Sequence, residues 1–211
     1  MKHAAFTFLL ILASMISKGQ AMIASPNALY LVYNNPGSYF YLKIDGKDKS
    51  TTEINNLYIV DGQSVQVLTV KTSTFIPDSL PALKPRTMLE RYYAFEKGYL
   101  DTLFQGQISY STEFGQTANG REYIFWSFRS PLLDTAKESA TDSTKNTIIE
   151  SQLYAATDVG KLIVAVSAPY FKEDIAYEKL KKYLIDIIGS ITVSPVRIDI
   201  FELDRRVNGT Q

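Results

Sequence analysis

Short turn-forming dipeptides set between β-rich runs constrain this chain more than any other feature. Leu57-Tyr58-Ile59-Val60, then Asp61-Gly62, then Gln63 to Lys71 form the strongest such unit. Asp-Gly accepts the positive φ angles of a two-residue type I′ turn, so the flanking runs are expected to pair as a hairpin. Ala28 to Tyr33 and Tyr39 to Ile44 flank Asn34-Asn35-Pro36-Gly37 in the same way. Gln107 to Phe114 and Glu122 to Phe128 flank Asn119-Gly120, and Ile148 to Thr157 and Lys161 to Ala168 flank Asp158-Val159-Gly160. Strands joined by turns this short run antiparallel.

Two segments break the pattern with helical spacing. After Pro77, Pro81 and Pro85, the residues Met88, Tyr92, Phe95, Tyr99 and Leu103 recur every three or four positions from Arg86 to Phe104. That spacing predicts one apolar helix face, with Pro85 suited to the first turn. From Glu173 to Ile188, the stripe Ala176, Leu180, Tyr183, Leu184 and Ile187 predicts a second helix ending at Gly189. Ile191 to Val193 reads as a short strand, Val196 to Leu203 as a weak edge strand, and Arg205 to Gln211 as a frayed tail. Asp45 to Thr52 reads as a loop, and Asp134 to Asn146 as a polar exposed one. The fold class expected is α+β, an antiparallel β-sheet flanked by two main helices, with one domain over residues 22–195. About 190 residues bury roughly 70% of their unfolded surface in one core.

The N-terminus has its own grammar. Met1-Lys2-His3 precedes a mostly apolar run of 13 residues, Ala4 to Ile16, and small residues follow. The run is shorter than the roughly 20 residues needed to span a bilayer. The combination reads as a secretory signal peptide over residues 1–21, cut after Gly19 or after Ala21. No later run is apolar enough to cross a membrane and no cysteine offers a lipid anchor. The chain is therefore expected to be exported, periplasmic or extracellular, without a stable membrane anchor.

Composition then bears on chemistry. The chain has no cysteine, and its one histidine is His3, inside the expected leader. Without an imidazole or thiol, nucleophile systems that need a His base, zinc sites built on Cys or His, and disulfides are excluded. Loss of residues 1–21 removes Lys2 and Lys18 and no acid, leaving 20 basic against 22 acidic side chains. That balance does not favour nucleic acid as a partner.

The order of hairpins, proline-led helix, two hairpins, helix and short strand resembles the Mog1/PsbP-like family, which includes bacterial exported proteins of the DcrB type. The matching features are the Asp61-Gly62 hairpin, the Asn119-Gly120 turn into Arg121 to Phe128, and the turn at Gly160. The strand Leu162 to Val166 and the closing helix into Gly189-Ser190-Ile191 complete them, over about residues 38–193. The resemblance implies an antiparallel sheet with packed helices, used as a binding or assembly scaffold, and it supplies no catalytic motif.

Candidate groups are few. Glu113 and Glu122 flank a turn; with a two-residue loop, Glu113 would lie opposite Trp126 and Glu122 opposite Thr117. Those rows are roughly 13 Å apart along the strand, beyond the roughly 5–9.5 Å of paired glycosidase carboxylates. Asp45, Asp48 and Asp61 lack the spacing of a calcium loop. No catalytic residue, metal site or cofactor is expected. The unusual component is aromatic, with 14 Tyr, 11 Phe and one Trp. Tyr123 and Phe125 point to one side of their strand and Trp126 to the other; one side is expected to meet the helices, and the other is either covered by the N-terminal hairpin or open to a partner, with core packing the main role for most of these rings. Asn208-Gly209-Thr210 fits the N-glycosylation pattern and Asp134-Thr135-Ala136 resembles a bacterial O-glycosylation signal. The reading is a non-enzymatic binding or accessory protein recognising a protein partner or envelope component. The alternative is a small-molecule carrier with a pocket between sheet and helices. The oligomeric state is left open.

Overall fold

The structure is a computed structural model that describes residues 20–77, 83–129, 149–171 and 175–209. The expected leader before Gln20, the loop Asp134 to Asn146 with its Asp134-Thr135-Ala136 signal, and Thr210 lie outside the described residues. The chain divides into two compact units, residues 1–68 with 190–211, and residues 69–189.

The first unit is built on the sheet β1 (Gln20–Ser25), β2 (Ala28–Asn35) and β3 (Ser38–Asp45), with β11 (Thr192–Ser194) paired to β3. The pairs are antiparallel, with Tyr33 opposite Phe40, Leu31 opposite Leu42 and Leu29 opposite Ile44. Pairing puts these six side chains on one face, where all are buried, and Tyr33 stacks on Phe40 with ring centroids 4.6 Å apart. β4 (Lys49–Thr51), β5 (Leu57–Val60) and most of β6 (Gln63–Lys71) form a further antiparallel ribbon. Asp61 (φ 48°) and Gly62 (φ 79°) take the left-handed angles expected of a type I′ turn. The Asp61 carboxylate accepts from the N–H groups of Lys47 (2.9 Å) and Asp48 (2.8 Å), which gives it a structural role in ordering the 46–48 turn.

The C-terminal segment corrects the expectation of an edge strand and frayed tail. Ile200–Asn208 is a helix, α3 by the order of helices below. The apolar positions Ile200, Leu203 and Val207 follow helical spacing, which outweighs the short alternation Val196, Ile198, Ile200. The Asp199 carboxylate caps the first turn by accepting from Phe201 N–H (2.9 Å) and Glu202 N–H (3.0 Å). Gly209 closes the other end at φ 66°. Ile200, Leu203 and Val207 pack with Ile23, Val32, Tyr30 and Tyr41, the face of the sheet opposite the Leu31 row.

The second unit carries the order β10 (Leu162–Tyr170), β9 (Ser151–Val159), β8 (Glu122–Arg129), β7 (Ser109–Gln116), all antiparallel. Two helices flank it, α1 (Pro85–Leu103) and α2 (Tyr177–Gly189), so the α+β class with antiparallel sheets holds, with α3 as a third helix. α1 and α2 lie over opposite faces of this sheet. α1 meets Trp126 and Phe128 through Tyr93 and Phe104, and α2 meets Phe125 and Ser127 through Tyr177.

Two sequence expectations change within this unit. The buried face of α1 is Met88, Leu89, Tyr92, Glu96 and Leu100, whereas Phe95 and Tyr99 are exposed. Met88 and Tyr92 keep their expected place, and Leu89, Glu96 and Leu100 complete the buried face. The turn at Asn119-Gly120 is a three-residue loop: Thr117 N–H donates to Arg121 carbonyl (2.9 Å) and Gly120 N–H to Thr117 carbonyl (2.9 Å). Gln116 therefore pairs with Glu122 and Glu113 with Phe125. The shift of one residue puts Glu113 and Glu122 on opposite faces of the sheet. Glu113 forms an ion pair with Lys181 of α2.

Candidate functional site

Tyr123, Phe125 and Trp126, the binding candidates of the aromatic strand, are all buried. Both faces of β8 are covered by helices, so neither is an open aromatic face. Tyr123 lies across the strand from Gly115, and a Cβ at Gly115 would sit 2.5 Å from the Tyr123 hydroxyl oxygen and 2.6 Å from Cζ. The glycine leaves room for the ring. Gly115→Ala is expected to lower stability by about 1–3 kcal/mol, seen as a reduced urea midpoint at unchanged m-value.

Beneath α1 the aromatic layer is continuous. The Trp126 ring, 1% exposed, lies on Tyr154 with centroids 4.0 Å apart and planes at 4°; Phe128 stacks 6.1 Å away and Tyr93 meets it edge-on at 5.8 Å. The α1 carboxyl Glu96, only 4% exposed, accepts a hydrogen bond from Tyr92. Burial pushes Glu96 up to about 7, against the weaker opposing effect of that hydrogen bond. Burial also raises Tyr154, and the nearby Glu96 charge adds to it. Trp126 Nε1, Gln152 Oε1 and Ser167 Oγ have no hydrogen-bond partner among the described residues. Its chemistry is that of a packed core. Sequence periodicity missed Glu96 because a charge was not counted as part of an apolar stripe; the spacing Leu89, Tyr92, Glu96, Leu100 carried the signal.

At the opposite end of α1 from Phe104, Asp158 of β9 is raised to about 6, mainly by burial, with the Gly160 N–H and Arg121 opposing. Asp101 on α1 is held below the usual carboxylate range by hydrogen bonds from Lys97 and Tyr110. Asp101 is engaged in pairing, whereas Asp158 Oδ1 is buried with no hydrogen-bond partner among the described residues. No group of three or more Asp, Glu, His or Cys among the described residues is arranged to hold a metal ion.

A cavity and several exposed apolar side chains lie in the first unit. A cavity of about 370 Å³ is bounded by the start of β1, the end of β4 and the loop into β5. Its walls include Thr51, Asn55 and Asn56, with Gln20 and Tyr58, and no lining residue is charged. It joins strands and a loop, unlike the expected pocket between sheet and helices. Elsewhere in the unit, Val193 is 52%, Val196 65% and Phe201 82% exposed. Asn208, of the glycosylation pattern, donates to Ala24 carbonyl (3.2 Å) and Asp204 carboxylate (2.7 Å).

Antiparallel sheets and, among the described residues, three helices define an α+β protein; a cavity with no charged side chain and the exposed Val193, Val196 and Phe201 lie in its first unit. No family model matches the sequence, and no curated protein matches it. Among solved structures, the chain is similar to the solution structure of cyanobacterial PsbP (CyanoP) from Synechocystis sp. PCC 6803. The identity is 10% and the TM-score 0.47, over 82% of this chain and 95% of that one.

Proposed function

We propose that the protein is an exported, non-enzymatic binding or accessory protein, of the DcrB type within the Mog1/PsbP-like family, that docks a protein partner through residues 193–201. The observation that carries this reading is the ordered display of Val193, Val196 and Phe201. The strip is held in place at several points. The Asn34 side chain donates to Ile198 carbonyl and accepts from Ile198 N–H, both at 2.9 Å, and Asp199 caps α3. Leu203 inserts between Ile23 and Val32 from the opposite side of the helix. An exposed phenylalanine on a capped helix meets a partner with little ordering entropy left to lose.

Export is supported by the charged start, the short apolar run and the small residues after it. Cleavage after Gly19 leaves all six residues of β1, whereas cleavage after Ala21 removes two of them.

The test pairs Phe201→Ser with Val196→Ser. Both side chains point outward, so the melting temperature is expected to stay close to wild type. A partner recovered stoichiometrically by the wild-type protein from envelope extract should fall at least about tenfold with the double variant. Equal recovery by both proteins would refute docking at this strip. Concentration-dependent dimerisation abolished by the same changes would assign the strip to self-association instead.

A further inference from the structure

The cavity beside β1 is a feature that the docking reading does not use. Two features set its chemistry. First, no side chain lining it is charged: amides and hydroxyls from Gln20, Thr51, Asn55, Asn56 and Tyr58 stand with the aliphatic side chains of Met22, Ile54 and Leu57. Second, the polar groups divide into fixed and unengaged ones. Gln20 Nε2 donates to the Tyr58 hydroxyl at 2.6 Å, tying the two walls together. The Thr52 hydroxyl accepts from Ile54 N–H and donates to Leu57 carbonyl, both at 3.1 Å. Asn56 is held at φ 63°, with Val67 N–H donating to its carbonyl at 2.9 Å. The loop backbone is thus bonded at each turn. By contrast, the side chains of Thr51, Asn55 and Asn56 form no hydrogen bond with any described residue.

We infer that this cavity, whose wall at Gln20 and Ala21 is kept by cleavage after Gly19, binds a neutral saccharide unit. Each Asn amide offers two donors and an acceptor, and the Thr51 hydroxyl offers both functions, which matches the paired donor and acceptor character of vicinal sugar hydroxyls. Met22, 48% exposed, with Ile54 and Leu57, supplies an aliphatic patch for the C–H face of a pyranose ring. An ionic ligand would find no side chain of opposite charge among the lining residues. A flat aromatic ligand lacks a ring to stack on, because Tyr58 is buried and engaged with Gln20. The volume falls in the range of about 300–1,000 Å³ usual for small-ligand sites.

Backbone amide resonances of the isotope-labelled protein report directly on this site. Titration with cellobiose and with N,N′-diacetylchitobiose should give saturable shifts at residues 20–22 and 51–58 for at least one of them. Asn55→Ala combined with Asn56→Gly removes both amides while keeping a residue at 56 that adopts positive φ without strain. That variant should keep the wild-type spectrum outside the loop and bind at least about tenfold more weakly. Asn55→Ala alone, on an exposed position, guards against any loss of folding and should also weaken binding. Absence of saturable shifts up to the solubility limit of both sugars would overturn the inference. So would shifts confined to other residues, or unchanged affinity in the variants. Shifts along β1 with an uncharged extended octapeptide, and none with either sugar, would overturn it in favour of strand addition. Because Phe201 and Val196 line no part of this cavity, their variants leave the sugar titration unchanged, and either reading fails without the other.

Discussion

Replacing Trp126 by alanine is expected to destabilise the protein by about 3–5 kcal/mol. The indole is fully enclosed, with Tyr154 on one side, Phe128 beside it and Tyr93 edge-on from α1. These partners are rigid rings on strands and a helix, so they collapse poorly into the space left behind, and the cavity contribution adds to the lost transfer free energy. The stacked and edge-on pairs contribute further, at roughly 0.5–1.5 kcal/mol each. Trp126→Phe should lose far less, under about 2 kcal/mol, because it keeps a stacking ring and deletes an indole N–H that has no partner among the described residues. Urea denaturation followed by far-ultraviolet circular dichroism separates the two. Equal and small losses would show that the ring is not a core element.

The second large effect is a pH dependence centred on Glu96. The groups facing its carboxyl are Tyr92, one turn earlier on α1, and Tyr154 from β9. Neither is a cation, so burial dominates and the folded-state value rises from 4.5 to about 7. Below the lower value both folded and unfolded chains hold the proton and the site has no influence. Between the two, the unfolded chain releases the proton while the folded chain keeps it, and stability falls as pH rises. Above about 7 the loss is complete, at roughly 3 kcal/mol. Glu96→Gln keeps the shape and should be more stable than wild type at pH 8, with most of the decline between pH 5 and pH 8 removed. Urea midpoints at those two pH values measure it. Asp158, raised to about 6, acts with the same sign, so a smaller slope should persist until Asp158→Asn is added. Asp101, lowered by Lys97 and Tyr110, acts in the opposite sense and at lower pH. An unchanged slope in Glu96→Gln would show that this carboxyl is not the titrating group.

Local features were legible in the sequence wherever one short stretch determined them. Asp61-Gly62 fixed a turn by its backbone angles, and the spacing from Leu180 to Ile187 identified the buried stripe of α2. Features set by competition between two local signals were misread. Asn119-Gly120 suits a two-residue turn, but the Thr117 side chain, bonded to Asn119 (2.5 Å) and to Arg121 N–H (3.1 Å), favours a three-residue one. The pairing of Glu113 and Glu122 moved with it. In the C-terminal segment, alternation at Val196, Ile198 and Ile200 obscured a helix whose cap, Asp199, lies inside it. Long-range features left no trace. Which helix covers which face of β8 depends on how separate segments pack, so Tyr123, Phe125 and Trp126 could be recognised as aromatic but not as buried. The neutral cavity joins residues 20–22 to 51–58, which no motif links.

The stacked indole also makes the molecule its own probe. The chain has a single tryptophan, and it belongs to the unit of residues 69–189. Its emission therefore reports one unit alone, while circular dichroism sums over both. Denaturation curves from the two signals, recorded on one sample, measure whether the units melt as one cooperative body or in separate steps, without any label being introduced.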